Sequence, residues 1–311
     1  MLKIGLLLKQ RAKTDERLGE IYVFVSGLLF AGFPVLINYT SDKIPPTFFA
    51  AITDLIAGAI LVVIMAARGQ LKELAVRKAW PYLLMVAIFI IVIPRSLFYN
   101  GTRFTSAINT SILLEVEILF AMLYTTLIGE KMTRWKLLGG LAVFLGTILT
   151  LYNGHFVLNK GDLMIVAGTA FLPIGNIYAK KALKLVSPSA VILFRSLVGG
   201  LALLALSTWF DAGTDYGMGH LAIVRTFLWI ILLNSVLITI IQKLAWYGGL
   251  KRLEVGKATI IVMSYPAFSM ILASIFLREI PTLYQFGGLL IIFAGLFSIT
   301  AHKSELPAHV E

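Results

Sequence analysis

The chain of 311 residues has no cysteine, so disulfides, thiol catalysis and cysteine-ligated metals are excluded. Its four histidines, His155, His220, His302 and His309, fall in inferred loops or the tail, without the spacing of a metal site. Charge is equally scarce: only 14% of residues are Asp, Glu, Lys or Arg. A soluble domain of this length needs more polar surface than that to cover its core. Walker-type and dinucleotide motifs are missing as well, so neither direct ATP drive nor a nucleotide cofactor is indicated. We expect no cofactor, no metal and no enzymatic activity.

What is present is apolar. Hydrophobic residues make up 59% of the chain, and the mean hydropathy is +0.89. Stretches near twenty residues long recur with short polar breaks, and ten membrane helices can be drawn. They run about Gly19–Thr40, Pro45–Ala67, Trp80–Asn100, Thr105–Ile128, Thr133–Tyr152, Gly161–Ala182, Pro188–Phe210, Leu221–Tyr247, Lys257–Leu277 and Pro281–Ala301. Residues 1–18 form a basic leader too short in its apolar run to span, and residues 302–311 a tail.

The net charge of +11 comes from 27 Lys and Arg against 16 acids. On a soluble chain that excess would suggest nucleic acid; here its distribution sets orientation instead. With the amino terminus placed in the cytoplasm, nineteen basic residues fall on the inner side. Five fall outside (Lys43, Arg103, Lys160, Arg225 and Arg278), and three lie within spans. The bias puts both termini in the cytoplasm, in an inner-membrane, multi-pass protein, and requires an even number of spans.

The two halves resemble each other. Gly129-Glu130, Gly139 and Gly146 reappear 149 residues later as Arg278-Glu279, Gly288 and Gly295, and Tyr99-Asn100-Gly101 answers Tyr247-Gly248-Gly249. At a shift of 142, Gly19-Glu20-Ile21 meets Gly161-Asp162-Leu163, Pro46 meets Pro188 and Gly58 meets Gly200. Five spans per half is an odd number, so residues 19–152 and 161–301 are expected to be inverted repeats. That is the architecture of alternating-access transporters with a midplane site. The expected fold class is therefore an all-α membrane protein.

The chain resembles the drug/metabolite transporter superfamily, EamA type, from about Gly19 to Ala301. The resemblance rests on Gly129-Glu130-Lys131 and Arg278-Glu279-Ile280, on Lys160-Gly161-Asp162-Leu163, and on Tyr265-Pro266. It implies secondary transport of a small organic metabolite, with export of an amino-acid-like or amphiphilic solute as the first reading. Uptake of a cationic or zwitterionic nutrient is the second; an intramembrane enzyme or a lipid-carrier flippase is remote. The partners expected are the small-molecule substrate, membrane lipid and a coupling proton or exchanged solute, with no nucleic acid.

Six ionisable residues stand out in the bilayer core of the inferred spans, where each charge costs about 2.5–3.5 kcal/mol at a helix centre unless paired or solvated. Glu115 and Glu117 are near the midplane. Two positions apart on an α-helix is about 200°, so at most one should face a single cavity. Glu117 is assigned to substrate or proton coupling and Glu115 mainly to structure. Arg95 and Lys243 occupy equivalent places in the halves and are gate or ion-pair candidates, with snorkelling as the alternative. Arg195 is expected to snorkel or brace, and Asp54 to pair with a basic group. Ser235, Thr239, Gln242 and Trp246 form one polar stripe, and Thr169, Pro173 and Asn176 another. Tyr99 and Tyr265 are candidates for aromatic walls, with an interfacial belt as the alternative. Pro173 and Pro34 are candidates for freeing backbone carbonyls.

Overall fold

Along residues 134–152, Leu138, Leu141 and Leu145 point outward, each about half exposed, while Gly139, Gly140 and Gly146 are buried. That order reverses the pattern of a water-soluble helix and fits a chain whose solvent is lipid. A computed structural model describes residues 2–127, 133–152, 159–212, 219–250, 252–253, 258, 261–262 and 264–301. Gly129-Glu130-Lys131, His155, His302, His309 and the tail lie outside the described residues.

Among the described residues the regular structure is all helical. Eight segments are long and apolar enough to cross a membrane: α1 (Asp15–Thr40), α2 (Pro46–Ala67), α3 (Arg77–Gly101), α4 (Ala107–Tyr124), α5 (Arg134–Tyr152), α6 (Lys160–Leu183), α7 (Pro188–Phe210) and α8 (Leu228–Leu250). Two shorter apolar helices follow, α9 (Tyr265–Phe276) and α10 (Leu283–Ser298). The helix that includes α1 begins at Leu2, so residues 2–18 continue into it.

The helices pack in a definite scheme: α5 against α10, α2 against α7, α4 against α9, α1 against α8 and α3 against α6. Glycine sets the closest of these contacts. A Cβ on Gly146 would stand 2.7 Å from the Gly288 carbonyl oxygen, and one on Gly295 2.6 Å from that of Gly139. Across α2 and α7, Gly58 receives the side chain of Leu197 and Gly200 that of Leu55. Such approaches supply the packing that the hydrophobic effect cannot provide inside lipid.

Carboxylates beyond one helix cap the amino terminus of another. Asp211, just past α7, accepts from the backbone N–H groups of Thr47 (3.3 Å) and Phe48 (2.9 Å) at the start of α2. Glu73, past α2, accepts from Ser187 N–H (2.6 Å), just before α7. Glu279 follows Arg278, which sits in the left-handed region at φ 57°, and accepts from Ala107 (2.9 Å) and Ile108 (3.0 Å) at the start of α4. Each satisfies orphan donors at a helix start and complements its dipole.

Four places within the spans that bear on the site depart from α geometry. Residues 87–92 of α3 and 234–241 of α8 form π-helical turns. In α3, Pro94 lacks the N–H that an α-helix would direct at Ile90, which lies inside the wide turn. In α4, Leu114–Val116 tighten into a 3₁₀ turn. α6 is broken between Thr169 and Leu172, where Pro173 has no N–H for the Thr169 carbonyl.

Candidate substrate cavity

Helices α1, α3, α4, α6, α7, α8 and α9 enclose a cavity of about 400 Å³. Ten of the candidate residues singled out from the sequence stand on its wall: Glu115, Glu117, Pro173, Asn176, Gln242, Trp246 and Tyr265, with Arg95, Arg195 and Lys243. Asp54 and Tyr99 do not reach it. They lie behind the wall, both essentially unexposed, and their contacts explain why.

Asp54 is the partner of Arg95. The guanidinium Nη1 lies 2.7 Å from Oδ2, Ser196 Oγ donates to Oδ1 at 3.3 Å, and Arg95 Nη2 donates to Thr239 Oγ1 at 3.4 Å. Arg95 is thus drawn inward rather than toward headgroups. The hydroxyl of Tyr99 accepts from Asn234 Nδ2 (3.3 Å) inside the π-helical turn of α8, so Tyr99 braces α3 against α8 and is not an interfacial belt residue.

The expectation that only one of the two glutamates faces the cavity is overturned, for both line it. The 200° separation applies to an unbroken α-helix, and the 3₁₀ turn at Leu114–Val116 resets the angle just between them. Glu117 accepts from Asn176 Nδ2 on α6 at 3.0 Å. Glu115 lies beside the hydroxyl of Tyr265 on α9, which itself donates to the Ser111 carbonyl at 3.1 Å.

Arg195 is also not where a snorkelling side chain would be. It has no exposed surface and is among the largest fully buried side chains. The face of α7 that carries it also carries Gly199, which receives Ile91, so this face is pressed into the bundle. Lys243 lies on α8 with its ammonium 5.3 Å from the centroid of the Phe30 ring, within the range of a cation–π contact. It also acts on Glu117 through space.

The proposed stripe on α8 is split by the π-helical turn. Gln242 and Trp246 line the cavity, and Gln242 Nε2 donates to Ser26 Oγ (2.9 Å). Ser235 instead donates to the Thr53 carbonyl (2.8 Å), and Thr239 serves Arg95. On α6, Pro173 and Asn176 are on the wall. Pro34, like Pro94, lacks a donor for the residue four before it, and those residues, Phe30 and Ile90, are both lining residues. Phe30 was not visible from sequence as a site residue, because nothing distinguishes it among twenty phenylalanines. It stacks on Phe33 (5.4 Å) and meets Tyr265 edge-on (4.9 Å), forming an aromatic wall.

The two ends of the bundle differ. One end is laced across helices: Asn38 Nδ2 donates to the Thr102 and Thr105 carbonyls, Asn100 to Thr47 Oγ1, Thr105 to Asp162 and Gln285 to Asn109. Toward the other end the cavity reaches Leu183, Leu250 and the exposed Lys180.

With this geometry in view, the EamA-like transporter family model matches residues 17–152 and again 159–301. The chain belongs to the EamA-like transporter family. Relatives of this EamA-like chain include the uncharacterized transporter YyaM of Bacillus subtilis (strain 168), 22% identical, with 89% of this chain and 92% of that protein covered. The uncharacterized transporter sll1164 of Synechocystis sp. (strain ATCC 27184 / PCC 6803 / Kazusa) is 24% identical, with coverage of 79% and 73%. A crystal structure of a protein superposes with a TM-score of 0.65 at 19% identity, covering 91% of this chain and 96% of its own, which shows a shared fold. The EamA-like chain is accordingly a multi-pass membrane transporter of the drug/metabolite superfamily.

Proposed function

We propose that this chain is a secondary transporter of a small amino-acid-like solute, working by alternating access of two inverted five-helix repeats. The observation that carries the reading is a single cavity with cations and carboxylates on its wall, closed by hydrogen bonds at one end and reaching an exposed lysine at the other. An apolar lumen would suit a lipid-like cargo; a wall bearing both signs suits a zwitterion.

The repeat is supported by contacts that exchange under the sequence shifts. Gly58 with Leu197 and Gly200 with Leu55 are images of one another at a shift of 142, as are Gly146 with Gly288 and Gly295 with Gly139 at 149. α3–α6 and α8–α1 exchange likewise. In this reading ten helices span the inner membrane, residues 19–152 and 161–301 are the repeats, and both termini are cytoplasmic. The laced end is then the outer one and the state is inward-open, as at the start of export. Coupling is to a proton or to an exchanged solute.

Counterflow in proteoliposomes loaded with a panel of amino acids tests the proposal. Accelerated uptake of labelled solute against unlabelled interior solute is expected for one class, and its absence for the whole panel would overturn the reading. Uptake is the second direction, favoured by the presence of both Glu115 and Glu117 on the wall. Efflux from preloaded cells decides between them.

A further inference from the structure

Apart from the exposed Lys180 at its mouth, the cavity wall carries three cations, and they are not equivalent. Arg95 has Asp54 at 2.7 Å, and Lys243 has the Phe30 ring and the field of Glu117. Arg195 has neither: its Nε, Nη1 and Nη2 atoms are buried and, among the described residues, none has a hydrogen-bond partner. The acid in its field, Asp54, is already held by Arg95 and Ser196. Arg95 and Lys243 are both close enough to Arg195 to repel it. Tyr247 is its other ionisable neighbour. Five donors in a planar fork without an acceptor, in a low-dielectric site, are an unfavourable arrangement for a merely structural residue. They fit an oxyanion that arrives from outside.

We propose that Arg195 is the carboxylate-binding group of this cavity, so that the cargo is a small monocarboxylate. This rests on the transport reading above and adds which end of the solute is recognised. The planar guanidinium matches two carboxylate oxygens at once, a geometry that lysine does not reproduce. The acidic groups lie elsewhere on the wall, Glu117 on Asn176 and Glu115 beside Tyr265. A carboxylate on Arg195 therefore leaves an ammonium or an uncharged body directed at the other wall. Arg195 is a specificity-determining residue in this scheme.

The test uses the full chain in detergent and thermal unfolding with leucine, phenylalanine and threonine, their carboxamides, and glycerol 3-phosphate. At least one acid is expected to raise Tm while its carboxamide does not. Arg195→Gln should weaken the half-saturating concentration about 10- to 100-fold, the range for a lost charged hydrogen bond. Arg195→Lys, which keeps the charge, should recover only part of this. If Arg195→Gln does not fold, the acid-to-amide ratio of the wild type and of Arg195→Lys decides. Stabilisation by carboxamides as strong as by acids, by glycerol 3-phosphate alone, or by no member of the panel overturns the proposal. So does an acid preference unchanged in Arg195→Gln. Counterflow of the same solutes separates the two readings: acid-dependent stabilisation without exchange supports the binding site and overturns transport, whereas exchange of carboxamides as fast as acids supports transport and overturns the role of Arg195.

Discussion

The two halves matched by the family model carry the same helical plan and opposite electrostatics. Around the cavity, residues 17–152 supply three acids, Asp54, Glu115 and Glu117, and one cation, Arg95, whereas residues 159–301 supply the buried cations Arg195 and Lys243. The first half neutralises its own cation through Asp54 and Arg95. The second half depends on groups from outside itself, either the glutamates of the first half or a bound solute. A scaffold built twice has thus been charged unequally, and the inequality is concentrated at the cavity. Any motion of one half past the other alters how Lys243 and Arg195 are compensated, whereas the Arg95–Asp54 pair moves as a unit.

The largest effect should come from breaking the self-contained pair. Asp54→Asn strands Arg95 in the core and is expected to destabilise the protein by about 3–5 kcal/mol. Thermal unfolding in detergent reads this, and Asp54→Asn with Arg95→Met should recover most of it. If the single variant melts like wild type, the halves do not differ in the way described.

Next comes the contact between halves. Glu117→Gln should insert and fold but lose roughly 100-fold in transport or its pH dependence, the lower end of the range for a proton-transfer group. Glu115→Gln should act mainly on thermal stability. Transport by Glu117→Gln at the wild-type rate from pH 5 to 8 would remove Glu117 from the coupling role and leave Lys243 without a functional partner.

Smaller effects are expected where the halves simply pack. Gly146→Val places a side chain against the Gly288 carbonyl and Ile292 and should cost about 1–3 kcal/mol by overpacking. Gly219→Ala meets nothing within 4 Å and should be close to neutral. Equal effects at the two sites would mean that the α5–α10 contact is looser than it is drawn.

The smallest effect concerns the cap at the start of α2. Burial pushes the Asp211 carboxyl above the ordinary carboxylate range, against backbone hydrogen bonds from Phe48 and Thr47 that pull it down. A group whose value rises on folding contributes stability at low pH, and that contribution fades as pH rises through the folded value. The Tm difference between wild type and Asp211→Asn should therefore shift against the wild type between pH 4 and pH 7. Asp211→Ala, which removes the cap, should cost about 1 kcal/mol. A pH-independent difference would show that the carboxyl is not held out of water.

Much of this architecture was legible in the sequence, because long apolar runs and paired glycines are written in one dimension. Gly139, Gly146, Gly288 and Gly295 could be matched by spacing alone, and they do meet. Asp54 was expected to pair, but its partner was not identifiable, since a choice among Arg95, Arg195 and Lys243 depends on tertiary register. The angular argument about Glu115 and Glu117 failed because it assumed unbroken α geometry, and the 3₁₀ turn between them is unmarked by glycine or proline. The lacing by Asn38, Asn100 and Asn109 was also invisible, because asparagine near a span end reads equally well as a loop residue.

The π-helical turns have a consequence for how this chain tolerates change. A hydrogen-bonded ring of that kind encloses one residue more than an α-helical ring. Deleting a single codon within residues 87–92 would let α3 close into regular α geometry while the segments on either side keep nearly their present rotation, because the wide turn is what absorbs the extra residue. Arg95 and Tyr99 could then still hold Asp54 and Asn234 with the amino-terminal half of α3 kept in its seat against α6 and α7. In a library of single-residue deletions these two stretches should therefore read as the most tolerant parts of their spans, since the same deletion in regular α-helix rotates the two ends of a span apart by about 100°.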